Sequence, residues 1–202
     1  MKNNFSERRL KLSDKVLEDS AIIVASALVK ARISDTDYAY RQDSNFYYLS
    51  GYEEPDSLLL IRPNSDKEKF IIFCRDRDPL REQWDGFRTG QEGAVQQYGA
   101  DNAYSINSLD QMMPDLLAGV KNIYFSMSAP CGVDIKISHW MEDIRKNTRA
   151  GAEPPNNLLS LDSILHEMRL IKEDHEMNLM KKAADITTEA HIRAMQAVTP
   201  GM

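Results

Sequence analysis

The chain has 202 residues, enough for one sizeable domain or one domain plus a fragment, and its 42% hydrophobic content allows a real core. A net charge of −6 disfavours nucleic-acid binding, which needs a basic patch. The opening MKNNFSERRLKL lacks the apolar stretch of a secretory signal, and the longest apolar run, Ala21 to Val29, is too short to span a bilayer, so no membrane partner is expected.

A helix is expected from Phe5 to Leu17, with Leu10, Leu12, Val16 and Leu17 facing inward. Ala21 to Ser26 suits a buried strand. Tyr38 to Tyr52 then packs six of the chain's sixteen aromatic residues into fifteen positions, around the polar knot Arg41-Gln42-Asp43-Ser44-Asn45. Asp43 or Ser44 can accept from the free N–H groups of a short helical turn, Phe46 to Ser50, which Gly51 is placed to end. Phe46, Tyr47 and Leu49 would face inward, and on this reading the segment is an amphipathic turn covering a core edge.

Ser57 to Arg62 and Lys69 to Cys74 read as two strands of a hairpin, joined by the turn Pro63-Asn64-Ser65-Asp66. Asp76 to Gly93 is charged and glycine-containing, and is expected as a long loop before a helix at Gln91 to Gln97. Leu109 to Leu117 reads as a helix and Asn122 to Ser126 as a strand. Val133 to Arg145 reads as a helix with Ile135, Trp140, Met141 and Ile144 on its apolar side. Asn147 to Asn157 is a linker in which Pro154-Pro155 forbids helix. Strands alternating with helices imply an α/β layered domain.

A last helix starts at Glu173 and Asp174, whose charge suits its N-terminal dipole, and ends at Thr199-Pro200-Gly201. Met177, Met180, Ala184, Ile186, Met195 and Val198 help make one half of its cylinder apolar. Such a face wants a large partner surface, yet the chain stops four residues after Val198, so the partner is expected to lie outside this sequence.

Few constellations carry chemistry. His166-Glu167 and His175-Glu176 open the H-E-x-x-H pattern, but Leu170 and Leu179 stand where the second histidine belongs. His139 and His191 add no metal spacing, and His191, within the apolar face, reads as a core histidine. Asp185 and Glu189 lie four apart, but beside Lys181, Lys182 and Arg193 they read as solvated ion pairs. Gly86, Gly90 and Gly93 match neither a dinucleotide nor a phosphate loop. Cys74 follows a strand-like run beside Arg75 and Arg77, which can lower a thiol pKa, although a packed strand cysteine is the simpler reading. Cys74 and Cys131 read as free thiols of a reducing compartment, with one disulfide as the alternative and the cytoplasm as the expected location.

The aromatic stretch, continued to Glu54-Pro55, resembles the Y-R-Q-(N/D)-S-(D/N)-F-x-Y-(F/L)-(T/S)-G-(F/Y)-x-E-P segment of Xaa-Pro aminopeptidases, the aminopeptidase P family. Three further segments fall in the family's order. They are Arg75-Asp76-Arg77-Asp78 followed by Glu82-Gln83-Trp84-Asp85-Gly86, then His166 to Lys172, then the helix from Ala183 to Met202. The resemblance implies a mixed sheet flanked by helices over residues 1–170, and over 171–202 the first helix of a pita-bread metallopeptidase domain. It further implies a homo-oligomer that uses two divalent metal ions, usually manganese, to hydrolyse peptides with proline at the second position. This segment would bind no metal and have no activity alone. Trp84 matches a tryptophan that borders a neighbouring subunit's active site, and Arg149 and Asp35 match a polar network near that site. Read without the family, Trp84 is a surface anchor, and Arg149 and Asp35 an ion pair joining domains. Two rival readings remain: a stand-alone interaction module of the same fold, and an unrelated small α/β hydrolase using Cys74 or a histidine.

Overall fold

A computed structural model describes residues 4–127, 132–146 and 151–201. Cys131 and Arg149 lie outside the described residues. The chain divides into two compact units, one over residues 4–165 and one from residue 166 onward.

The first unit opens with α1 (Phe5–Ser13), which stops before the expected Leu17. Leu12 is buried as expected, but Leu10 and Leu17 are exposed, and the other inward residue is Arg8, only 2% exposed. The Arg8 guanidinium stacks on Tyr48, 4.1 Å from the ring centre, and donates to the Tyr48 carbonyl. A cation on an aromatic face replaces the leucine contact that apolar periodicity suggests.

Strand β1 (Ser20–Ala25) follows, then a small exposed hairpin, β2 (Ala31–Ile33) with β3 (Thr36–Asp37). Next come α2 (Ser44–Ser50), β4 (Leu58–Ile61) and β5 (Phe70–Cys74). Helices α3 (Pro79–Asp85) and α4 (Gly90–Tyr98) precede β6 (Asn102–Ser105) and a 3₁₀ turn, Ile106–Ser108. Then follow α5 (Leu109–Leu117), β7 (Asn122–Phe125), α6 (Val133–Lys146), β8 (Asn157–Ser160) and α7 (Asp162–Leu170).

Six strands form one mixed sheet in the order β6-β5-β4-β1-β7-β8. The expected hairpin is present: β4 and β5 pair antiparallel, with Leu59 opposite Ile72. Strand β1 pairs antiparallel with β4 and parallel with β7, while β5–β6 and β7–β8 are parallel. Alternation sends Ala21, Ile23, Leu58, Leu60, Ile71, Phe73, Ile123 and Phe125 to one face, where α5 and α6 cover them with Met113, Leu117, Ile137 and Trp140. Ile22, Leu59, Ile72 and Cys74 are equally buried on the alternate positions. Burial on both faces explains the unbroken apolar runs in β1, β4, β5 and β7.

The loop expected over Asp76 to Gly93 contains α3. Asp78 accepts from the Arg81 N–H and Pro79 takes a first-turn position, which are sound start signals. The helix buries no residue, so it has no apolar stripe to reveal it. In α6, Ile137 rather than Ile135 joins the core.

The second unit is dominated by α8 (Asp174–Ala197). Glu173 caps it reciprocally with Glu176, whose carboxylate accepts the Glu173 N–H at 2.9 Å. No α8 residue is buried, so His191 is exposed rather than a core histidine. Glu189 pairs with Arg193 along the polar side, as expected for solvated charges.

Candidate functional site

The aromatic segment builds a scaffold before it builds a surface. Asp43 caps α2: its Oδ1 accepts from the N–H groups of Asn45 and Phe46, each at 2.9 Å. Gly51 closes the helix at φ 71°, and its N–H donates to the Tyr47 carbonyl at 2.8 Å. Phe46 and Leu49 are buried as expected, with Tyr48 rather than Tyr47 as the third inward side chain. Gln42 is the buried hub. Its Oε1 accepts from the N–H groups of Ala27 and Asp43 and from the Tyr40 hydroxyl, and its Nε2 donates to the Glu54 carbonyl at 2.9 Å. The polar knot thus ties the end of β1, the start of α2 and Glu54 together.

Glu54 carries this order outward. Its Oε2 accepts from Arg75 at 3.2 Å, and its Oε1 accepts from the Thr89 backbone N–H at 2.6 Å. Arg75 lies just before the segment that holds α3, and Thr89 just after it. Within that segment Arg77 grips Glu82 with two hydrogen bonds, at 2.6 and 2.9 Å, and its guanidinium stacks on Phe87. Glu82 also accepts from the Asp78 N–H. Arg88 reaches back to Asp85 and to the Asp76 carbonyl. These bonds fix a short helix that buries nothing.

Trp84 stands on this helix, 89% exposed. Leu80, one turn earlier, is 76% exposed, and Phe87 follows as a third exposed apolar residue. An indole exposed on a braced helix provides a flat apolar face for contact. The open groove of about 650 Å³ beside it is lined by Arg75, Arg77, Arg81 and Arg88 together with Asp56, Asp76 and Asp78. Arg75, Arg77 and Arg88 already engage carboxylates, so the groove carries little free positive charge.

Asp35 lies elsewhere, exposed in the turn between β2 and β3, where its carboxylate accepts from the Thr36 hydroxyl. Among the described residues no hydrogen bond or ion pair links Asp35 to Trp84, and Arg149 lies outside them.

Cys74 is a buried free thiol. Burial pushes its pKa up to about 11, outweighing the neighbouring Arg75 and the nearby Tyr52 hydroxyl. Cys74 is the packed strand cysteine that its sequence context favours, because desolvation costs the thiolate more than one partly exposed cation returns. Burial likewise raises the Tyr52 hydroxyl far above the ordinary tyrosine range. Neither group is a nucleophile at neutral pH. Among the described residues no group of three or more His, Cys, Asp or Glu side chains has the geometry to hold a metal ion.

The sequence reading singled out Trp84 but missed the residues that hold it. Arg77 and Glu82 pair only five positions apart, but Glu54 meets Thr89 across thirty-five, and no periodicity encodes that bond.

A six-stranded mixed sheet with helices on its faces and a short exposed helix carrying Trp84 defines a mixed α/β domain. Residues 5–124 match the family described as aminopeptidase P, N-terminal domain, and the chain belongs to that family. It is 32% identical to an Escherichia coli Xaa-Pro aminopeptidase over 100% of this chain and 46% of that protein. It is 37% identical to a Haemophilus influenzae Xaa-Pro aminopeptidase over 98% of this chain and 44% of the other. The solved Pseudomonas aeruginosa aminopeptidase superposes with a TM-score of 0.96 at 38% identity, covering 100% of this chain and 46% of that one. An Escherichia coli aminopeptidase P variant in complex with substrate superposes at 0.94 with 31% identity over the same shares. The chain thus spans somewhat less than half the length of these relatives.

Proposed function

We propose that this chain is the N-terminal, non-catalytic part of an Xaa-Pro aminopeptidase, a hydrolase that releases an N-terminal residue preceding proline. On this reading residues 1–170 form the supporting domain and 171–202 begin the metallopeptidase domain, whose two divalent ions, manganese by family resemblance, are held by residues beyond this sequence. The polypeptide forms homo-oligomers in the cytoplasm. Trp84 of one subunit closes over the peptide bound in a neighbour's site, and Asp35 and Arg149 lie near the same site.

One observation carries the reading: Trp84 is almost wholly exposed on a helix that buries nothing yet is braced by a bidentate ion pair, an N-cap and Glu54. A merely solvated loop has no use for such bracing. The similarity to relatives named Xaa-Pro aminopeptidase supplies the substrate class.

The test is Trp84→Ala in the full-length polypeptide, assayed on an Xaa-Pro peptide with manganese present. Loss of an aromatic contact of about 0.5–1.5 kcal/mol lowers kcat/KM by about two- to tenfold. Unchanged kcat/KM would refute the role of Trp84. Metal-dependent release of residues before proline by the 202-residue chain alone would refute its lack of activity.

A further inference from the structure

The most specific feature left unassigned is the closure of the α3 segment. Its neck is the pair of chain positions flanking it, Arg75 and Thr89. One carboxylate, Glu54, binds both: the guanidinium of the first at 3.2 Å and the backbone N–H of the second at 2.6 Å. The Glu54 side chain is only 16% exposed, and Thr89 is buried. Glu54 is itself fixed from behind, because its carbonyl accepts from Gln42 and from the Ser57 hydroxyl. Thr89 is the N-cap of α4 yet makes no side-chain capping bond, so a carboxylate at this helix start also meets the dipole favourably. Gly90 completes the neck at φ 62°, where an added Cβ would strike the Arg77 side chain at 2.7 Å.

We infer that Glu54 is the positioning residue for Trp84: it clamps the two ends of the α3 segment and thereby sets where the indole stands. The inference rests on the reading that Trp84 meets a substrate, and it assigns the Glu-Pro end of the aromatic signature a purpose that burial alone does not supply. Glu54 touches no substrate. It acts through Thr89 and Arg75, and the Arg77–Glu82 pair passes the constraint along α3.

The 202-residue chain is labelled with fluorotryptophan and compared as wild type, Glu54→Ala and Glu54→Gln, by fluorine NMR and amide exchange. Trp140, fully buried in the core, is the internal reference. In Glu54→Ala the amides of Thr89 and α3 exchange at least about tenfold faster, the scale of a lost charge-assisted hydrogen bond. The Trp84 resonance moves, while the Trp140 resonance and exchange in β4 and β5 hold. Glu54→Gln keeps an acceptor for Thr89 but loses the ion pair, and gives a smaller change of at least about threefold. Wild-type exchange at Thr89 and α3 in both variants, or an unmoved Trp84 resonance in both, overturns the inference. If the alanine variant unfolds, the glutamine variant decides alone by the same two readouts. A failure of the substrate-site reading itself appears only in the kinetics of Trp84→Ala and leaves these exchange rates untouched.

Discussion

Replacing Gly51 by alanine tests how the aromatic segment is held. Gly51 sits at φ 71°, the left-handed region, which costs an L-residue with a Cβ about 1–2 kcal/mol. A Cβ there would also lie 2.4, 2.6 and 3.0 Å from three carbons of the Phe5 ring. The ring must turn away, giving up its edge-on contact with Tyr47, whose centroid is 5.8 Å distant. Such a pair contributes about 0.5–1.5 kcal/mol. Gly51→Ala therefore destabilises the first unit by about 2–3 kcal/mol, read as a lower urea midpoint at unchanged slope. In a Phe5→Ala background the steric part disappears, and the same substitution costs only about 1–2 kcal/mol. A loss below about 0.5 kcal/mol in the wild-type background would refute the conformational argument, and equal losses in both backgrounds would refute the steric one.

Two further outcomes follow from titrating groups. Burial alone would raise the Asp110 pKa, but hydrogen bonds from Lys136 and from the Trp140 indole outweigh it and hold the carboxyl below its ordinary 3.8. A depressed folded-state pKa gives stability that is present above the unfolded value and is lost as pH falls through the folded one. Urea midpoints of wild type and Asp110→Asn therefore differ at pH 6 and converge as the pH falls through the depressed folded-state pKa of Asp110, and a gap independent of pH would contradict this. In a Cys131→Ser variant, Cys74 stays unlabelled by a thiol reagent at pH 8 in the folded chain and reacts promptly in denaturant. Fast native labelling would show that Cys74 is open to solvent.

The fold was legible where burial imposes a pattern. Strands β1, β4, β5 and β7 are buried on both faces and read as continuous apolar runs, and α5 matches its expected bounds because Leu109, Met113 and Leu117 point to the core. Legibility failed where elements are exposed or short. Strand β8, Asn157–Ser160, is an exposed edge, β6 is Asn-Ala-Tyr-Ser, and the β2–β3 hairpin buries nothing, so none carries a period. Of the candidate site, Trp84 was singled out only by the resemblance of Glu82-Gln83-Trp84 to a family motif, and the structure leaves its indole exposed. The rest was not legible, because Glu54 binds Arg75 and Thr89 through distances that only the tertiary fold creates. Cys74 was legible as a packed strand cysteine from the apolar run it ends, and the burial of that strand outweighs the arginine neighbours that sequence places beside it.

Subunit mixing tests the central claim most directly. Full-length Trp84→Ala is combined with a second variant that keeps Trp84 but has lost a catalytic metal ligand, and kcat/KM on an Xaa-Pro peptide is measured after subunit exchange. If Trp84 serves the neighbouring subunit, an excess of the second variant gives nearly every intact catalytic site an intact indole, and kcat/KM per intact site rises toward the about two- to tenfold lost in Trp84→Ala alone. Activity equal to that of the diluted Trp84→Ala enzyme would contradict the account.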